Sequence, residues 1–121
     1  MKRKISILFD KEVNMCNLYF REFLDNPIDP KSKIERNIMN LEKYDSSEEV
    51  DCGDFFVILD INIGEYISGI ELYDAQKRLK EILEENVYNE VIKTGRIVFL
   101  EDPSEILNKL HIKDDISMYK I

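Results

Sequence analysis

Two apolar stretches, FFVILD (residues 55–60) and ISGIEL (residues 67–72), run directly into DAQKRL (residues 74–79) and decide the fold of this chain. The first two are rich in β-branched and aromatic residues and flank a short turn at residues 62–65, which is typical of a β-hairpin. From Asp74 the apolar spacing changes to three and four residues, which predicts an amphipathic helix. A hairpin that leads into a helix indicates a sheet covered by helices.

The spacing predicts one unbroken helix, with Asp74 as its N-cap and a stop at Thr94-Gly95. Such a helix would be about 28 Å long at about 1.5 Å per residue. Its apolar stripe consists of Ala75, Leu79, Ile82, Leu83, Val87 and Val91. A second, short helix is predicted from Asp102 to Leu110, with proline at its first helical position.

Alternating apolar residues predict a strand at residues 5–9. A second strand, returning antiparallel, is predicted at residues 15–22, and a further one at residues 96–100. Residues 31–44 fit both a helix and a twisted strand, and the neighbouring strands favour a strand. The tail at residues 112–121 offers a last strand at residues 116–119. The predicted class is α+β: an antiparallel β-sheet of hairpins packed by one long amphipathic helix and a short C-terminal helix, in a single domain over residues 1–121.

Acidic residues outnumber basic ones by 25 to 17, and the formal net charge is −8. Nucleic acid and anionic membranes are therefore poor partners, because binding to them depends on cationic contacts with phosphates. A basic protein is the expected partner. Cys16 and Cys52 belong to no CxxC pair and are expected to be buried thiols. The apolar stretch after the basic residues 1–4 is too short for a signal peptide, so a cytosolic location is expected.

Two motifs resemble a family of short bacterial domains of unknown function: Phe9-Asp10-Lys11-Glu12 and Gly69-Ile70-Glu71-Leu72. LYF at residues 18–20 and ILDIN at residues 58–62 extend the resemblance over roughly the first two-thirds of the chain. The chain departs from the family pattern by two extra residues before Leu18 and by a longer middle. The resemblance implies a small β-meander followed by a helix. It implies no activity and no functional residues, because the family is uncharacterised.

Catalytic and metal signatures are weak. Residues 60–71 place oxygen ligands at the first, third and twelfth positions of a calcium loop, but Glu65 stands where that loop needs glycine. A hairpin turn is the favoured interpretation. His111 is the single histidine, and no serine or cysteine motif beside it indicates a nucleophile and base. We therefore predict no catalytic residue, no metal and no cofactor.

The strongest candidate site is an acidic stretch that is predicted to form a polar loop over residues 44–54. Its predicted partner-binding residues are Glu42, Tyr44, Asp45, Glu48, Glu49, Asp51 and Asp54. Tyr44 is the expected aromatic anchor, since tyrosine is enriched at the centres of interfaces. A solvated loop that keeps the protein soluble is the competing interpretation, because charge patterning alone specifies no ligand.

These features predict a binding protein, not an enzyme. The chain is similar at class level to the small acidic immunity proteins of bacterial toxin systems. The expected function is that of a cytosolic immunity protein or antitoxin, favoured to be monomeric, which neutralises a cognate toxin by covering its active site. A basic nuclease is the expected toxin. The alternative is a self-associating structural or assembly module. Under the first hypothesis, changing Glu48, Glu49 and Asp51 to lysine abolishes neutralisation and leaves thermal stability nearly unchanged.

Overall fold

A computed structural model describes residues 1–20, 46–62 and 64–121. The element predicted at residues 31–44 lies outside them. The strands are β1 (Arg3–Asp10), β2 (Met15–Tyr19), β3 (Ser46–Asp51), β4 (Phe56–Ile61), β5 (Ile67–Tyr73) and β6 (Arg96–Glu101). The helices are α1 (Ala75–Ile82), α2 (Glu85–Thr94) and α3 (Pro103–Lys109). The predicted hairpin at β4 and β5 is confirmed.

The strands form one six-stranded sheet in the order β3-β4-β5-β2-β1-β6, with every neighbouring pair antiparallel. Strands β2 and β5, which are distant in sequence, pair at its centre, where Gly69 faces Tyr19. A Cβ atom on Gly69 would lie 2.4 Å from the Leu18 carbonyl oxygen. Glycine is needed here because it lets the two backbones approach closely.

One face of the sheet packs against the helices and forms the core. Alternate residues of the strands supply it, as the period of two requires. The largest fully buried side chains include Ile5, Ile7, Leu18, Phe20, Leu59, Ile67, Ile70, Leu72, Leu79, Ile106 and Leu110. Each such side chain stabilises the fold by roughly 1.5–3 kcal/mol relative to exposure. The opposite side of the sheet is called the open face below.

The prediction of one long helix is wrong, because the chain leaves the helical conformation at Leu83 and Glu84. Both residues are extended, with ψ angles of 149° and 152°. Helix α1 packs against β2 and β5, whereas α2 packs against β1 and β6. A straight helix could not follow both contacts. The break lets each short apolar stripe be buried over a different part of the sheet.

Asp74 does precede α1, but its side chain makes no capping hydrogen bond. Asn14, in the turn between β1 and β2, caps the helix instead. Its side-chain oxygen accepts a hydrogen bond from the Gln76 N–H at 2.9 Å, and its carbonyl oxygen accepts one from the Ala75 N–H at 3.0 Å. The predicted short helix is confirmed as α3, with Pro103 at its first position, and Asp102 caps it by accepting from the Ser104 N–H at 2.9 Å.

Two further predictions are corrected at the β3 edge. Residues 46–51 form strand β3 instead of the predicted loop. Only Val50 in β3 is buried, where it faces Val57 of β4, so pairing with the strongly apolar β4 accounts for the strand. The tail forms no strand within residues 112–121. It makes a single bridge, between Tyr66 and Lys120.

Candidate functional site

The β3–β4 hairpin and the C-terminal segment enclose an open cleft of about 440 Å³. Four carboxylates and two phenylalanines line it together with a glycine: Glu49, Asp51, Asp54, Asp114, Phe55, Phe56 and Gly53. We call this feature the acidic cleft. Its volume lies within the range of ligand pockets, roughly 300–1,000 Å³.

The hairpin turn builds the floor of the acidic cleft. The Cys52 N–H donates to the Phe55 carbonyl at 2.9 Å, which leaves Gly53 and Asp54 as a two-residue loop. Gly53 has a φ of +100°, a conformation that L side chains rarely adopt. The Asp51 carboxylate accepts a hydrogen bond from the Gly53 N–H at 2.9 Å. Asp51 therefore stabilises the turn in addition to lining the cleft.

Asp114 reaches the cleft because the C-terminal segment lies along the outer edge of β3. The Asp51 N–H donates to a carboxylate oxygen of Asp114 at 2.7 Å. The Lys113 N–H donates to the Asp51 carbonyl, also at 2.7 Å. Further along, the Tyr119 hydroxyl donates to the Glu48 carboxylate. These contacts hold the segment against the strand.

The aromatic wall of the cleft is fixed from behind by Arg78 of α1. Its guanidinium carbon lies 3.9 Å from the centroid of the Phe55 ring. Ion pairs to Asp74 at 3.7 Å and to Glu81 at 3.3 Å hold it there. Among the described residues no hydrogen bond reaches the buried Arg78 Nε, which is consistent with a guanidinium stacked on a ring. Phe55 is thus held in place.

The pKa of the Cys52 thiol, which lies beside the acidic cleft, is affected by the negative charges of the cleft. Burial, together with the smaller effects of the Asp51 and Asp114 charges, raises the pKa of Cys52 to about 11, whereas the charge of Arg78 opposes the shift. A thiol with this pKa stays protonated at neutral pH and is a poor nucleophile. Burial raises the pKa of Cys16 to about 12. Both cysteines are buried and unbonded, as predicted.

A second acidic group lies on the open face, where Asp60 and Glu71 share a hydrogen bond. Burial, followed by the hydrogen bond and the charge of Glu71, raises the pKa of Asp60 to about 7, while the Ser47 hydroxyl opposes the shift. Burial and the same two carboxylates raise the pKa of Tyr19. The pair therefore takes up a proton near neutral pH.

The structure brings three of the predicted partner-binding residues together in the acidic cleft: Glu49, Asp51 and Asp54. Glu48 lies on the other face of β3, bound to Tyr119. Glu42, Tyr44 and Asp45 lie outside the described residues. The sequence pattern missed Asp114, Phe55 and Phe56 as cleft residues. Asp114 carries no local signal, because it joins the cleft only through tertiary hydrogen bonds.

The predicted lysine substitutions at Glu48 and Asp51 are also reinterpreted. Both carboxylates accept hydrogen bonds within the fold, so we expect their reversal to lower thermal stability. Within residues 1–20, 46–62 and 64–121, no group of three His, Cys, Asp or Glu residues is placed to hold a metal ion.

No family model matches the chain, and no curated protein or solved structure matches it. The resemblance to short bacterial domains therefore stays a prediction. None of the helices in the described parts of the chain has the length and apolar character needed to cross a membrane.

Proposed function

We propose that this protein is a binding protein whose acidic cleft receives lysine or arginine side chains of a basic protein partner. We propose further that the partner is a bacterial toxin, in the leading version a nuclease, and that the two meet in the cytoplasm. One observation carries the proposal: Glu49, Asp51, Asp54 and Asp114 line one cleft beside Phe55 and Phe56. Carboxylates attract the cation, and the rings offer it a face to stack on.

The four carboxylates of the acidic cleft form no ion pair with a lysine or arginine among the described residues. Lys113 lies beside the cleft, with its Cε 3.8 Å from the position that a Cβ atom would take on Gly53. Exposed ion pairs contribute only about 0.2–1 kcal/mol each, so charge alone cannot hold a partner. Close pairs that a partner desolvates contribute more, about 1.5–7 kcal/mol in coupling energy. The partner must therefore cover the cleft and exclude water from it.

In the proposed mechanism the carboxylates take the place of substrate phosphates on the basic residues of the toxin. Binding then blocks the toxin's active site sterically and electrostatically. A stable interface needs roughly 800 Å² from each partner, more than the cleft supplies. The neighbouring open face provides Phe56 and Tyr73, whose ring centroids lie 5.7 Å apart. Both side chains are exposed, and they offer the apolar anchor that the interface needs.

The test uses the double variant Glu49→Lys with Asp54→Lys. Both side chains are exposed and make no hydrogen bond to other described residues, so the variant should keep its thermal stability. The matched control is Glu12→Lys with Glu90→Lys, which changes the net charge equally at exposed positions elsewhere. The probe is the basic protein encoded by the neighbouring reading frame, and binding is measured by calorimetry at low and high salt.

We expect the cleft variant to bind at least about 100-fold more weakly, equivalent to about 2.7 kcal/mol. The control should bind nearly as well as the parent. The parent's association rate should fall steeply as salt is added, because screening weakens steering. Growth rescue of cells expressing the neighbouring protein should follow the same order. Equal binding by the cleft and control variants would refute the cleft as the binding site.

A further inference from the structure

The outer edge of β6 is set apart by the direction of its backbone groups. In an antiparallel pair, alternate residues point their N–H and C=O groups toward the neighbouring strand. The Phe9 N–H donates to the Gly95 carbonyl at 2.7 Å, so Gly95 and every second residue after it face β1. The backbone groups of Arg96, Val98 and Leu100 therefore point away from the sheet.

The Arg96 groups are satisfied within the chain. Thr94 Oγ1 donates to the Arg96 carbonyl at 2.7 Å and accepts from the Arg96 N–H at 3.3 Å. In the described parts of the chain, no hydrogen bond reaches the outward N–H and C=O groups of Val98 and Leu100. Their side chains are 41% and 64% exposed. An apolar edge strand with open backbone groups is a template for pairing with another strand.

We propose that β6 pairs antiparallel with β6 of a second copy of this chain, across a two-fold axis at Phe99. This two-fold axis runs perpendicular to the sheet, so each side chain stays on the same face of the combined sheet. Two residues that lie opposite each other must therefore both have even numbers or both have odd numbers. An axis at Phe99 places Val98 opposite Leu100 of the second copy, and the open backbone groups of these two residues bond to each other.

The open backbone groups select this register. With the axis at Phe99, the open groups of Val98 and Leu100 in one copy meet those of Leu100 and Val98 in the second copy. With the axis at Val98, Leu100 would instead lie opposite Arg96, whose backbone groups Thr94 already satisfies. With the axis at Leu100, Val98 would lie opposite Asp102, whose N–H already donates to the Glu101 carboxylate.

The other edge of the described sheet does not offer the same contact. The outward groups of Asp51 are occupied by Lys113 and Asp114. Two copies of β3 would also bring the carboxylates of Glu48 and Glu49 against those of the second copy. Pairing through β6 alone uses one self-complementary surface and closes at two copies, so it gives a dimer and not a fibre. The acidic clefts lie at the far edges of that dimer.

The register is tested with two single variants, Val98→Cys and Leu100→Cys, in the full chain. Opposite residues of a hydrogen-bonded pair have Cα atoms about 5.5 Å apart, within reach of a disulfide. After mild oxidation, a mixture of the two variants should form disulfide dimers, and each variant alone should form few. The native Cys16 and Cys52 are only 1% and 5% exposed and should not compete. Crosslinking confined to Val98→Cys alone, or none at all, would overturn the proposal.

The oligomeric state gives an independent readout without cysteines. Sedimentation equilibrium of the parent protein should show the dimer population rising with concentration. Leu100→Lys should remain monomeric, because two-fold pairing buries a lysine against the second copy. The control is Val13→Lys, at a position 60% exposed in the β1–β2 turn, which should dimerise like the parent. If the parent protein were monomeric at every concentration tested, the proposed dimer would be refuted, irrespective of how the variants behave.

Discussion

The two edges of the sheet differ in how they meet solvent. At β3, the C-terminal segment binds the outward groups of Asp51, and the strand carries exposed carboxylates. At β6, Thr94 satisfies only Arg96, and the exposed side chains beyond it are the apolar Val98 and Leu100. The β3 edge disfavours pairing with another strand because it is negatively charged and partly covered, whereas the β6 edge is open to such pairing.

The open face shows the same polarity. One row of paired residues crosses it from Glu49 through Glu71 to Arg96. The half built by β3, β4 and β5, called here the acidic half, carries the acidic cleft and the Asp60–Glu71 pair. The half built by β2, β1 and β6 ends in a basic and apolar edge. The difference shows that one small sheet carries a charged, solvent-exposed surface on one half and a strand edge with open backbone groups on the other, and the two proposals use different halves.

The largest expected effect comes from disrupting the pairing of β5 with β2, which joins the two halves of the sheet. Gly69→Val places a branched side chain where a Cβ atom would already lie 2.4 Å from the Leu18 carbonyl oxygen. Because backbone cannot yield as a side-chain end does, we expect a loss of at least about 3 kcal/mol in the free energy of unfolding. Urea denaturation measures it. An unchanged midpoint would show that β5 and β2 do not pair as described.

The next effect concerns the support of the acidic half. Arg78→Met keeps the apolar stem but removes the stacking on Phe55 and the ion pairs with Asp74 and Glu81. We expect about 1–2 kcal/mol of destabilisation by denaturant titration. Partner binding should weaken as well, because Phe55 lines the cleft. Lys77→Met, at an exposed position on the same helix, serves as the control and should change neither quantity.

A smaller effect tests the half-buried pair of Asp60 and Glu71 through pH. The pKa of Asp60 is about 7 in the folded protein, against an ordinary value of 3.8, so the folded state binds this proton more tightly. Its contribution to stability is complete below about pH 4 and is lost as the pH rises through about 7. Asp60→Asn keeps the neutral form, so we expect a higher Tm than the parent at about pH 8 and little difference at about pH 4.

Solvent screening should limit that change to about 1 kcal/mol. Glu71→Gln is the complementary variant, because removing the charge of Glu71 should lower the pKa of Asp60. The Tm of this variant should therefore depend less on pH than the Tm of the parent does. Parallel profiles for the parent and both variants would show that the two carboxyl groups do not share a proton.

The smallest expected effect distinguishes the β3 edge, which the C-terminal segment contacts, from the β6 edge, whose outward backbone groups at Val98 and Leu100 are open. Tyr119→Phe removes the hydroxyl that donates to Glu48 while keeping the half-buried ring, and we expect a slightly lower Tm. The matched variant Tyr73→Phe keeps its ring pair with Phe56 and should leave Tm unchanged. Faster amide exchange in β3, with β6 unaffected, should accompany Tyr119→Phe. If the amide exchange rates of β3 and β6 changed equally, the C-terminal segment would not be what stabilises the β3 edge.

Much of the fold was predictable where the signal is local. Alternation predicted β1, because a strand with one buried face must repeat every two residues. The apolar, β-branched runs on either side of a short turn predicted β4 and β5. The Asp102 cap of α3 was predictable for the same reason, since cap and helix are adjacent. Strand β3 was not, because Val50 is its single buried residue and its pairing partner supplies the apolar surface.

The helix break shows where periodicity fails. The residues from Ala75 to Val91 keep helical spacing through the break, so the pattern extends across Leu83 and Glu84 without interruption. The turn there exists because α1 and α2 cover different strands. Asn14 as the cap of α1 is a similar case, since it lies 62 residues before Gln76, to which it binds.

The sequence by itself determined every strand except β3, the hairpin at β4 and β5, the start of α3 and the excess of negative charge, because side-chain period, backbone preference and composition are local properties. The tertiary structure alone decided the strand order, the convergence of Asp51 and Asp114 across 63 residues and the bare edge of β6. Those features depend on which distant surfaces bury one another, and no local pattern in the chain encodes that choice.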